Sequence, residues 1–502
     1  MNSRPLSRRH FIGALLGLSG SAGLLETLLA EADAAPGYKT YKIGTWQGDD
    51  FTVGHKMRNG ELPYSPDSVE KLPTEKRDFV IVGGGLSALA AAYRLKGQDF
   101  VLLEQYKDLG GQARGGSHNG LDYSLGSAYF TSKEGAVGEL QSALNLKPAA
   151  FAAEEKHAFY ANKSWHKAKD RDFMERGHRE LKPLIEPLLK GNREVRADSQ
   201  LSSILTSLSP QYKSFLDSYL LSSICGDAGD LSAIAGAQFL QDLFLPSYVL
   251  PGGNSGFAKA LAADIKDKSA HVRSGAFVWL VKVKDNGALV VYQDKSGVKA
   301  IKCRHVILTA PPMVTGRILT GVSNKAKGDL FAFRYGSYMV ANLQFSEPVF
   351  KGPYDNFAAL KDNPKSQSNL TDIVIAESPY LVDKKYKQSM GSVLTVYSPW
   401  RPGTAGRELL LEGNQQKLLK SLMDSLSKLG VLKNTDKLQQ ISLARWGHAM
   451  VVPTVRYFDR LAAIKKANDS PNYSLAHSSL MGIQCLESAL EIGFKSAERA
   501  LK

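Results

Sequence analysis

Apolar residues recur along this chain with two different periods, and these periods mark its elements. A short β-branched run, Phe79–Val82, leads into three glycines, after which apolar residues recur at helical spacing. A second apolar run, Phe100–Leu103, follows that helix. The order of strand, tight turn, helix and strand predicts an α/β unit.

The regions that follow differ in their periodicity. Residues 131–249 are dominated by helical spacing, whereas residues 320–440 mix strand and helix patterns. Apolar residues three and four apart predict helices over Gly135–Leu146, Leu181–Leu189, Gln211–Cys225 and around Gln415–Leu429. Strand patterns cover Val278–Val281, Leu289–Tyr292, Lys302–Ala310, Tyr338–Phe345 and Ser392–Tyr397. The buried faces of these elements are interpreted mainly as core.

The glycines after the first strand form a dinucleotide-binding pattern. Gly83, Gly85 and Ala88 fit G-x-G-x-x-G/A, in which the first glycine makes the turn and the second admits a pyrophosphate. The third small residue brings the helix against the strand. Glu104 ends the next strand, where an acid holds free ribose hydroxyls rather than a 2′-phosphate. The alternative is a glycine-rich turn in an ordinary α/β unit.

Composition narrows the class of protein. The 502 residues carry 63 Lys and Arg against 49 Asp and Glu, a net charge of +14, without a run of five basic residues. A spread basic surface does not favour a nucleic-acid groove. The three cysteines lack zinc-site spacing and their odd number excludes a fully paired disulfide framework. No hydrolase motif of the G-x-S-x-G or H-E-x-x-H type is present.

The first residues carry an export pattern. Arg8 and Arg9 precede an apolar stretch that is too short to span a bilayer, and Ala32-Asp33-Ala34 offers a small-residue cleavage site. Residues 1–34 therefore resemble a twin-arginine signal peptide, which implies the twin-arginine export machinery as a partner, a periplasmic protein and no transmembrane anchor after cleavage. The alternative is an amphipathic helix with a chance Arg-Arg pair. Residues 35–76 are interpreted as an irregular lead-in.

Further motifs resemble the flavin-containing amine oxidoreductase family, which includes polyamine oxidases, protoporphyrinogen oxidases and carotenoid desaturases. The segment Gly110-Gly111-Gln112-Ala113-Arg114 is similar to the family's G-G-R-x-R, which wraps the flavin diphosphate. Gln112 replaces the first Arg of that motif, whereas Arg114 retains the second. The loop that ends in Gly126-Ser127-Ala128 is similar to the family segment beside the isoalloxazine ring.

The resemblance implies more cofactor residues. The backbone at Val278 corresponds to the family position that meets the adenine, and Gln484 falls in the last glycine motif before the final helix. Ser478 and Ser479 occupy the place of an expected acid, so hydroxyls would replace a carboxylate. The implied cofactor is FAD, bound without a covalent link.

The implied fold class is α/β, with a discontinuous Rossmann-like FAD-binding domain and an inserted α+β substrate domain. The FAD-binding domain is predicted to comprise residues 77–130, 250–318 and 440–502. The substrate domain is predicted to comprise residues 131–249 and 319–439. Domains of this type form a substrate pocket at their junction.

Four residues are candidates for the catalytic pocket. Val340 stands where amine and polyamine oxidases carry a lysine, and Cys485 replaces one wall of an amine cage. Cys485 is interpreted as an inert thiol rather than a covalent flavin anchor. Trp446 is expected to bound the pocket, and His448 is expected to titrate near neutrality as a base, or else to be structural.

These residues favour an exported FAD-dependent dehydrogenase that oxidises a small or medium organic substrate, with amines among the candidates. A flavin takes a hydride from a substrate held over its N5. One alternative is a desaturase or porphyrinogen-type oxidase acting on a large apolar substrate. Another is a flavin-carrying binding protein without turnover. A small-molecule substrate and an unidentified electron acceptor are the expected partners, with no nucleic acid and no metal.

Overall fold

A computed structural model describes residues 43–190, 199–358, 369–411, 413–433 and 435–502. The predicted signal peptide, residues 1–34, lies outside the described residues. The strands are β1 (Gln47–Gly48), β2 (Thr74–Val82), β3 (Phe100–Glu104), β4 (Gly115–His118), β5 (Leu121–Ser124), β6 (Ala149–Phe151), β7 (His157–Ala161), β8 (Ser164–Lys167), β9 (Ser247–Val249), β10 (Val272–Ser274), β11 (Phe277–Lys284), β12 (Gly287–Asp294), β13 (Gly297–Leu308), β14 (Leu319–Thr320), β15 (Tyr335–Phe345), β16 (Asp355–Ala358), β17 (Asp372–Ile375), β18 (Ser392–Trp400), β19 (Leu438–Val451) and β20 (Tyr473–Leu475).

The α-helices are α1 (Thr52–Arg58), α2 (Leu86–Arg94), α3 (Gly135–Ala143), α4 (Arg176–Leu189), α5 (Pro210–Ile224), α6 (Ala233–Gln241), α7 (Ser255–Asp264), α8 (Lys268–His271), α9 (Pro312–Ile318), α10 (Asn324–Asp329), α11 (Ser378–Val382), α12 (Ala405–Leu409), α13 (Gln415–Lys428), α14 (Tyr457–Ala467) and α15 (Leu486–Leu501). The four helices predicted from periodicity are confirmed as α3, α4, α5 and α13. Their observed bounds differ from the predicted ones by a few residues, because caps and local packing decide where a helix ends.

The first sheet has the order β10-β3-β2-β13-β12-β11-β14, and β20 pairs with β13. β10, β3, β2, β13 and β20 run parallel, whereas β12 is antiparallel to both β13 and β11. Alternate residues of β2 enter two different cores because side chains alternate across a strand. One core contains Phe79 and Ile81 together with apolar residues of α2, α7 and α15. The other core contains Val80 and Val82 together with apolar residues of α9 and α14. This is the predicted Rossmann-like part of the chain.

Helices α2 and α15 lie in close contact beside this sheet. A Cβ at Gly493 would lie 2.3 Å from the carbonyl oxygen of Ser87. Only glycine permits this approach, so the last helix of the chain is held against the helix that follows the glycine motif. The N-termini of both helices consequently face the same region of the molecule, as their lining of one cavity shows.

The second sheet has the order β1-β19-β15-β18-β17-β16-β7-β8. β19, β15, β18, β17 and β16 form an antiparallel series. Apolar side chains of α4 and α5 pack with Phe159, Phe357 and Val374 of this sheet in one core. The mixed α+β domain predicted from the sequence therefore has one sheet covered by helices, and the α/β fold class is confirmed.

Two predicted boundaries differ from the structure. Residues 440–451 were assigned to the FAD-binding domain, but β19 pairs with β15 and belongs to the second sheet. The lead-in is not wholly irregular, because residues 43–76 include β1, α1 and the start of β2. β1 pairs with β19, a contact between residues about four hundred positions apart that local periodicity does not report.

Among the described residues no helix is long and apolar enough to cross a membrane. The same residues contain no group of three or more His, Cys, Asp or Glu arranged to hold a metal ion.

Candidate functional site

One cavity of about 820 Å³ lies between the two sheets. The carboxyl ends of β2, β3 and β13 reach it from one side, and β15, β17 and β18 reach it from the other. Ligands of open α/β sheets bind outside the carboxyl ends of the strands. All site residues predicted from the sequence line this cavity except Ala88, Arg114 and Ser479.

The first glycine turn leaves open space in front of it. Gly83 has a φ of 108°, and a Cβ there would lie 2.3 Å from Oγ1 of Thr309, so the turn itself requires glycine. At Gly85 an added Cβ would meet only the Cα of Gly111, at 3.9 Å. Nothing in the protein fills the space that a side chain at Gly85 would take, and this space belongs to the cavity. Ala88, which follows on α2, is fully buried in the core and has the predicted packing role.

The second glycine turn lies directly against the first. The backbone N–H of Gly110 donates to the carbonyl of Gly84 over 2.7 Å. Gly111, with a φ of 57°, would bring a Cβ within 3.1 Å of the Cα of Gly85. Two small backbone turns and the N-terminus of α2 thus bound one slot, which is the geometry that binds a diphosphate.

Glu104 lies at the carboxyl end of β3 and lines the cavity. Its Oε1 accepts a hydrogen bond of 2.8 Å from the backbone N–H of Tyr106. Burial raises the pKa of Glu104, and backbone hydrogen bonds oppose the rise. Its carbonyl accepts from the N–H of Ala276, two residues before Val278, which also lines the cavity. The acid and the predicted adenine position therefore occupy the same end of the cavity.

Arg114 does not take the predicted position. Its Nη2 donates to the carbonyl of Gly48 over 2.7 Å and its Nε to the carbonyl of Gly111 over 3.1 Å. The guanidinium also lies 4.6 Å from the ring of Tyr106. Arg114 therefore connects the N-terminal segment to the second glycine turn instead of lining the cavity, a role that only the position of residue 48 reveals.

Gln112 and Gln484 form one amide network. Nε2 of each donates to the carbonyl of Ala449, over 2.6 Å and 2.9 Å respectively. Oε1 of Gln484 accepts from the N–H of Val451 over 3.0 Å. The residue in place of the expected arginine thus orients the end of β19 beside the cavity.

Distant segments hold the loop that contains Gly126, Ser127 and Ala128. Nε1 of Trp446 donates to the carbonyl of Leu125, and the hydroxyl of Tyr397 donates to the carbonyl of Gly126, each over 2.7 Å. Nδ2 of Asn254 donates to Oγ of Ser127 over 2.6 Å. Trp446 bounds the cavity as predicted. In addition, its indole N–H holds this loop in place.

The two serines near the C-terminus differ in orientation. Ser478 lines the cavity, whereas Ser479 is fully buried and its Oγ hydrogen-bonds Nδ1 of His477 over 2.8 Å. Ser479 therefore does not replace an acid toward the cavity. Sγ of Cys485 accepts from the N–H of Ser488 at the start of α15, and burial raises the pKa of the thiol. A protonated thiol is a poor nucleophile, which agrees with the inert role.

Of the two roles expected for His448, the geometry favours the structural one over a base that titrates near neutrality. Its ring lies 5.6 Å from the ring of Tyr335 in an edge-on arrangement. Burial, and to a smaller extent the positive charges of Arg407, His55 and Arg317, lower its pKa to about 4. His448 is therefore neutral at physiological pH and does not titrate near neutrality.

The second sheet supplies a continuous row of side chains to the cavity. Val340, Tyr397, Asp372 and Phe357 are paired directly across β15, β18, β17 and β16, and all four line the cavity. Directly paired residues share one face of a sheet. Asp372 is thus two strand spacings, about 10 Å, from Val340.

Three aspartates form an acidic chamber at this end of the cavity: Asp242, Asp355 and Asp372. Ser222 donates to Oδ1 of Asp372 over 2.5 Å and Thr371 over 2.8 Å, but burial still raises the pKa of Asp372 to about 7. Oδ1 of Asp355 has no hydrogen-bond partner in the part of the chain that the structure describes. Burial and the charge of Asp372 raise the pKa of Asp355 well above its usual range.

Lys156 is the buried counter-charge behind the chamber. Its Nζ donates to the carbonyls of Asp242 and Leu245, over 2.5 Å and 2.8 Å. Burial lowers its pKa to about 8, and the carboxylates of Asp242 and Asp355 oppose this change. Burial also raises the pKa of Asp242 to about 7. Sequence reasoning missed these acids, although an acid next to an apolar strand run, as in Asp372–Ile375, is the signal that would have marked one of them.

The fold and this cavity define an α/β protein with a Rossmann-like part. Residues 81–142 match the NAD(P)-binding Rossmann-like domain family. The oxidoreductase PigB of Serratia sp. (strain ATCC 39006) is 20% identical over 279 residues, which cover 54% of this chain and 41% of PigB. The chain therefore matches less than half the length of this curated relative.

Solved structures show the same architecture. A putrescine oxidase variant superposes with a TM-score of 0.65 and 17% identity, over 86% of this chain and 99% of that chain. Cyclohexylamine oxidase from Brevibacterium oxydans IH-35A gives 0.63 and 14% over 85% and 99%, and a putative protoporphyrinogen oxidase from Exiguobacterium sp. 255-15 gives 0.61 and 18% over 84% and 98%. At these identities the similarity establishes the fold that this chain shares with oxidases.

Proposed function

We propose that this protein is an FAD-dependent dehydrogenase that oxidises a cationic organic amine. The observation that carries the proposal is that a glycine-lined slot and an acidic chamber belong to one cavity. The slot has the shape and backbone donors for a diphosphate. The chamber holds an unpartnered carboxylate oxygen of Asp355 that a cation would satisfy.

The residues present fit FAD. The open space in front of Gly85 would take the diphosphate, Glu104 would accept hydrogen bonds from ribose hydroxyls, and the loop around Ser127 would lie beside the ring system. Bound FAD supplies a hydride acceptor. The thiol of Cys485, whose pKa burial raises, stays protonated and supports non-covalent binding.

Two experiments test whether the protein binds FAD: release of the cofactor from purified protein and one substitution. Purified protein is expected to be yellow and to release FAD on heating or acid treatment. Gly85→Val is expected to abolish FAD binding without unfolding the protein, because the added side chain meets only open cavity. Gly403→Val is the matched control, since a Cβ at Gly403 also meets nothing within 4 Å but lies outside the cavity wall. A colourless wild-type protein that binds NAD instead contradicts the proposal.

The chamber supports the amine as substrate class. Asp355 and Asp372 would attract a protonated amine and hold it by charge-assisted hydrogen bonds. The row from Val340 to Asp372 would orient the substrate along the sheet, and the apolar and aromatic side chains of the wall would exclude water. Two of the structural neighbours are named for amine substrates, putrescine and cyclohexylamine.

The alternative substrate is a large apolar molecule or a porphyrinogen. The aliphatic Val340 and the similarity to a putative protoporphyrinogen oxidase favour it. Against it, buried carboxylates would repel the carboxylates of a tetrapyrrole. Anaerobic titration separates the two: bleaching of the flavin absorbance is expected with cationic amines and not with neutral alcohols of equal size. Bleaching by a tetrapyrrole or carotenoid alone contradicts the amine assignment, and no bleaching by any compound favours a binding protein without turnover.

The electron acceptor is proposed to be a molecule other than oxygen. In the amine and polyamine oxidases that this chain resembles, a lysine at this position holds a water beside the flavin. Val340 offers neither a hydrogen-bond donor nor a positive charge there. Photoreduced enzyme mixed with aerated buffer in a stopped-flow instrument is expected to reoxidise slowly. Reoxidation as fast as that of ordinary flavin oxidases contradicts the dehydrogenase assignment.

Export by the twin-arginine route to the periplasm is proposed from the sequence of residues 1–34. The arginine pair is read by a receptor, so Arg8→Lys combined with Arg9→Lys is expected to retain an FAD-loaded precursor in the cytoplasm. Cell fractionation and N-terminal sequencing measure this. Undiminished periplasmic accumulation of the double variant contradicts the route.

A further inference from the structure

The cavity also has a wall with exposed residues, built from other elements than those of the acidic chamber. There its wall is formed by α1, α9, α12 and the end of β19. Five basic residues from these elements line this opening, which we name the basic mouth: His55, Arg58, Arg317, Arg407 and His448. Arg58 and Arg317 are exposed, whereas Arg407 and His448 are partly buried.

Two arginines of the basic mouth are not paired with an acid among the described residues. Arg317 and Arg407 form no ion pair with an acid in the part of the chain that the structure describes. Three acids also line this part of the wall: the Asp49 carboxylate accepts from the N–H of Gly447 over 2.9 Å, Asp50 accepts from the N–H of Thr52 over 2.9 Å, and Glu408 is exposed. Arg445 lines the wall as well, so four arginines face three acids. A cleft with unbalanced charge of one sign attracts ligands of the other sign.

The charges of the mouth also act on one another. The positive charges of Arg407, His55 and Arg317 lower the pKa of His448, after burial as the main cause, and Arg58 lowers the pKa of His55 in the same way. The side chains are therefore near enough to repel. At neutral pH the arginines carry the positive charge, since a guanidinium stays protonated. A bound anion would relieve this repulsion.

The mouth is apolar between its charges. Met57, Met313 and Leu411 line the same opening, and the side chain of Leu411 is 42% exposed. Arg317 lies 5.4 Å from the ring of Phe331, which is also exposed. This combination suits a planar organic molecule with an anionic group better than a small hydrated inorganic ion.

We propose that the basic mouth binds an organic anion of the quinone or quinone-imine class, which accepts the electrons from the reduced cofactor. This inference rests on the proposed flavin chemistry. In each turnover the substrate loses a hydride to the cofactor, and the acceptor then takes two electrons and one proton from the reduced cofactor and a second proton from solvent. The acidic chamber and the basic mouth thus receive the two reactants in separate parts of one cavity.

Equilibrium binding to the oxidised holoenzyme tests the site without turnover. The probe is 8-anilinonaphthalene-1-sulfonate, an aromatic anion whose fluorescence rises on binding. The double variant Arg317→Gln, Arg407→Gln is expected to bind it at least tenfold more weakly than wild type. Arg171→Gln, an exposed arginine outside the cavity wall, is the control and is expected to leave binding unchanged. Equal binding by wild type and double variant overturns the proposal.

Reoxidation kinetics test the assigned role. Photoreduced holoenzyme is mixed anaerobically with dichlorophenolindophenol, an anionic quinone imine, or with the ferrocenium cation. The double variant is expected to lower the second-order rate constant with the anion about tenfold, and to leave the constant with the cation unchanged or higher. Weaker dye binding with unchanged anion kinetics overturns the role as acceptor site. Because light reduces the flavin, these outcomes do not depend on the amine assignment, whose failure would appear only in the substrate titration.

Discussion

Two parts of the cavity carry opposite charges and are built in different ways. Asp355 and Asp372 lie on neighbouring strands of the second sheet and are nearly fully buried. Arg317 and Arg407 lie on short helices near the surface. Charges in a buried site are screened less than charges at a surface. A change of one charge is therefore expected to have a larger effect in the acidic chamber than at the basic mouth.

The largest expected effect follows from the loss of the buried counter-charge. Lys156→Met leaves the carbonyls of Asp242 and Leu245 without their donor and removes the positive charge that acts on Asp242 and Asp355, so the free energy of unfolding is expected to fall by about 3 kcal/mol. Arg407→Gln at the mouth is expected to change it by less than about 0.5 kcal/mol. Urea unfolding at pH 7.5 measures both. If both substitutions changed the free energy of unfolding equally, charges in the acidic chamber would matter no more for stability than charges at the basic mouth.

The next effect concerns the substrate. Asp372→Asn keeps the shape of the side chain but removes its charge, so kcat/KM for a cationic amine is expected to fall about 100-fold, or about 2.7 kcal/mol, mainly through KM. Steady-state kinetics with a saturating acceptor measure this fall. Asp424→Asn, an exposed acid on α13, is the control. An unchanged KM for Asp372→Asn would show that the amine is bound elsewhere.

The pH dependence of the two parts is expected to differ. Burial raises the pKa of Asp242 and Asp372 to about 7, so these acids take up protons as the pH falls through 7 and lose their attraction for a cation. KM for the amine is expected to rise about tenfold from pH 8 to pH 6. Dye binding at the mouth is expected to strengthen slightly as the pH falls, since its arginines remain charged and Asp49, whose pKa burial raises to about 6, loses its negative charge.

The raised pKa values of these acids also predict how the stability of the fold changes with pH. A buried acid whose pKa is raised in the folded state destabilises the fold as the pH rises from its unfolded pKa, near 3.8, to its folded pKa. The penalty is complete above about pH 7, and a bound cation removes part of it. An amine ligand is therefore expected to raise the Tm more at pH 8 than at pH 6. The opposite order in a thermal melt would contradict ionised acids in the chamber.

The smallest expected effect is that of salt. Raising the ionic strength from 0.05 M to 0.5 M is expected to lower the rate of reoxidation by dichlorophenolindophenol about threefold, because surface charges are screened. kcat/KM for the amine is expected to change less, since the chamber is buried. Stopped-flow and steady-state measurements over the same salt series compare the two. If salt lowered kcat/KM for the amine more than it lowered the rate of reoxidation, the amine would have to contact charges at the surface rather than in the chamber.

The Rossmann-like part was predictable in detail because its signals are local. The run Phe79–Val82, the glycines at 83 and 85 and the acid at 104 follow one another within one supersecondary unit. Their spacing specifies strand, turn and helix, and these elements are observed in that order. Ala88 likewise packs as its place in the motif implies.

Residues whose partners are distant in the chain were predicted less well. Arg114 was assigned to the cofactor from its motif, but its donors go to Gly48 and Gly111. His448 was expected either to titrate near neutrality or to be structural, and burial and three positive neighbours favour the second role. Ser479 turns toward His477. In each case a contact outside the local segment decides the role of the side chain.

Backbone preference and hydrophobic periodicity act over a few residues, so the elements, the α/β class and the first glycine turn followed from the order of amino acids alone. Which charges meet depends instead on how distant segments pack together. Asp242 follows α6, whereas Asp355 and Asp372 come together through the pairing of β16 with β17. β1 reaches the site through its pairing with β19. Strand register and strand order set these distances, and the local pattern of a single segment predicts neither of them.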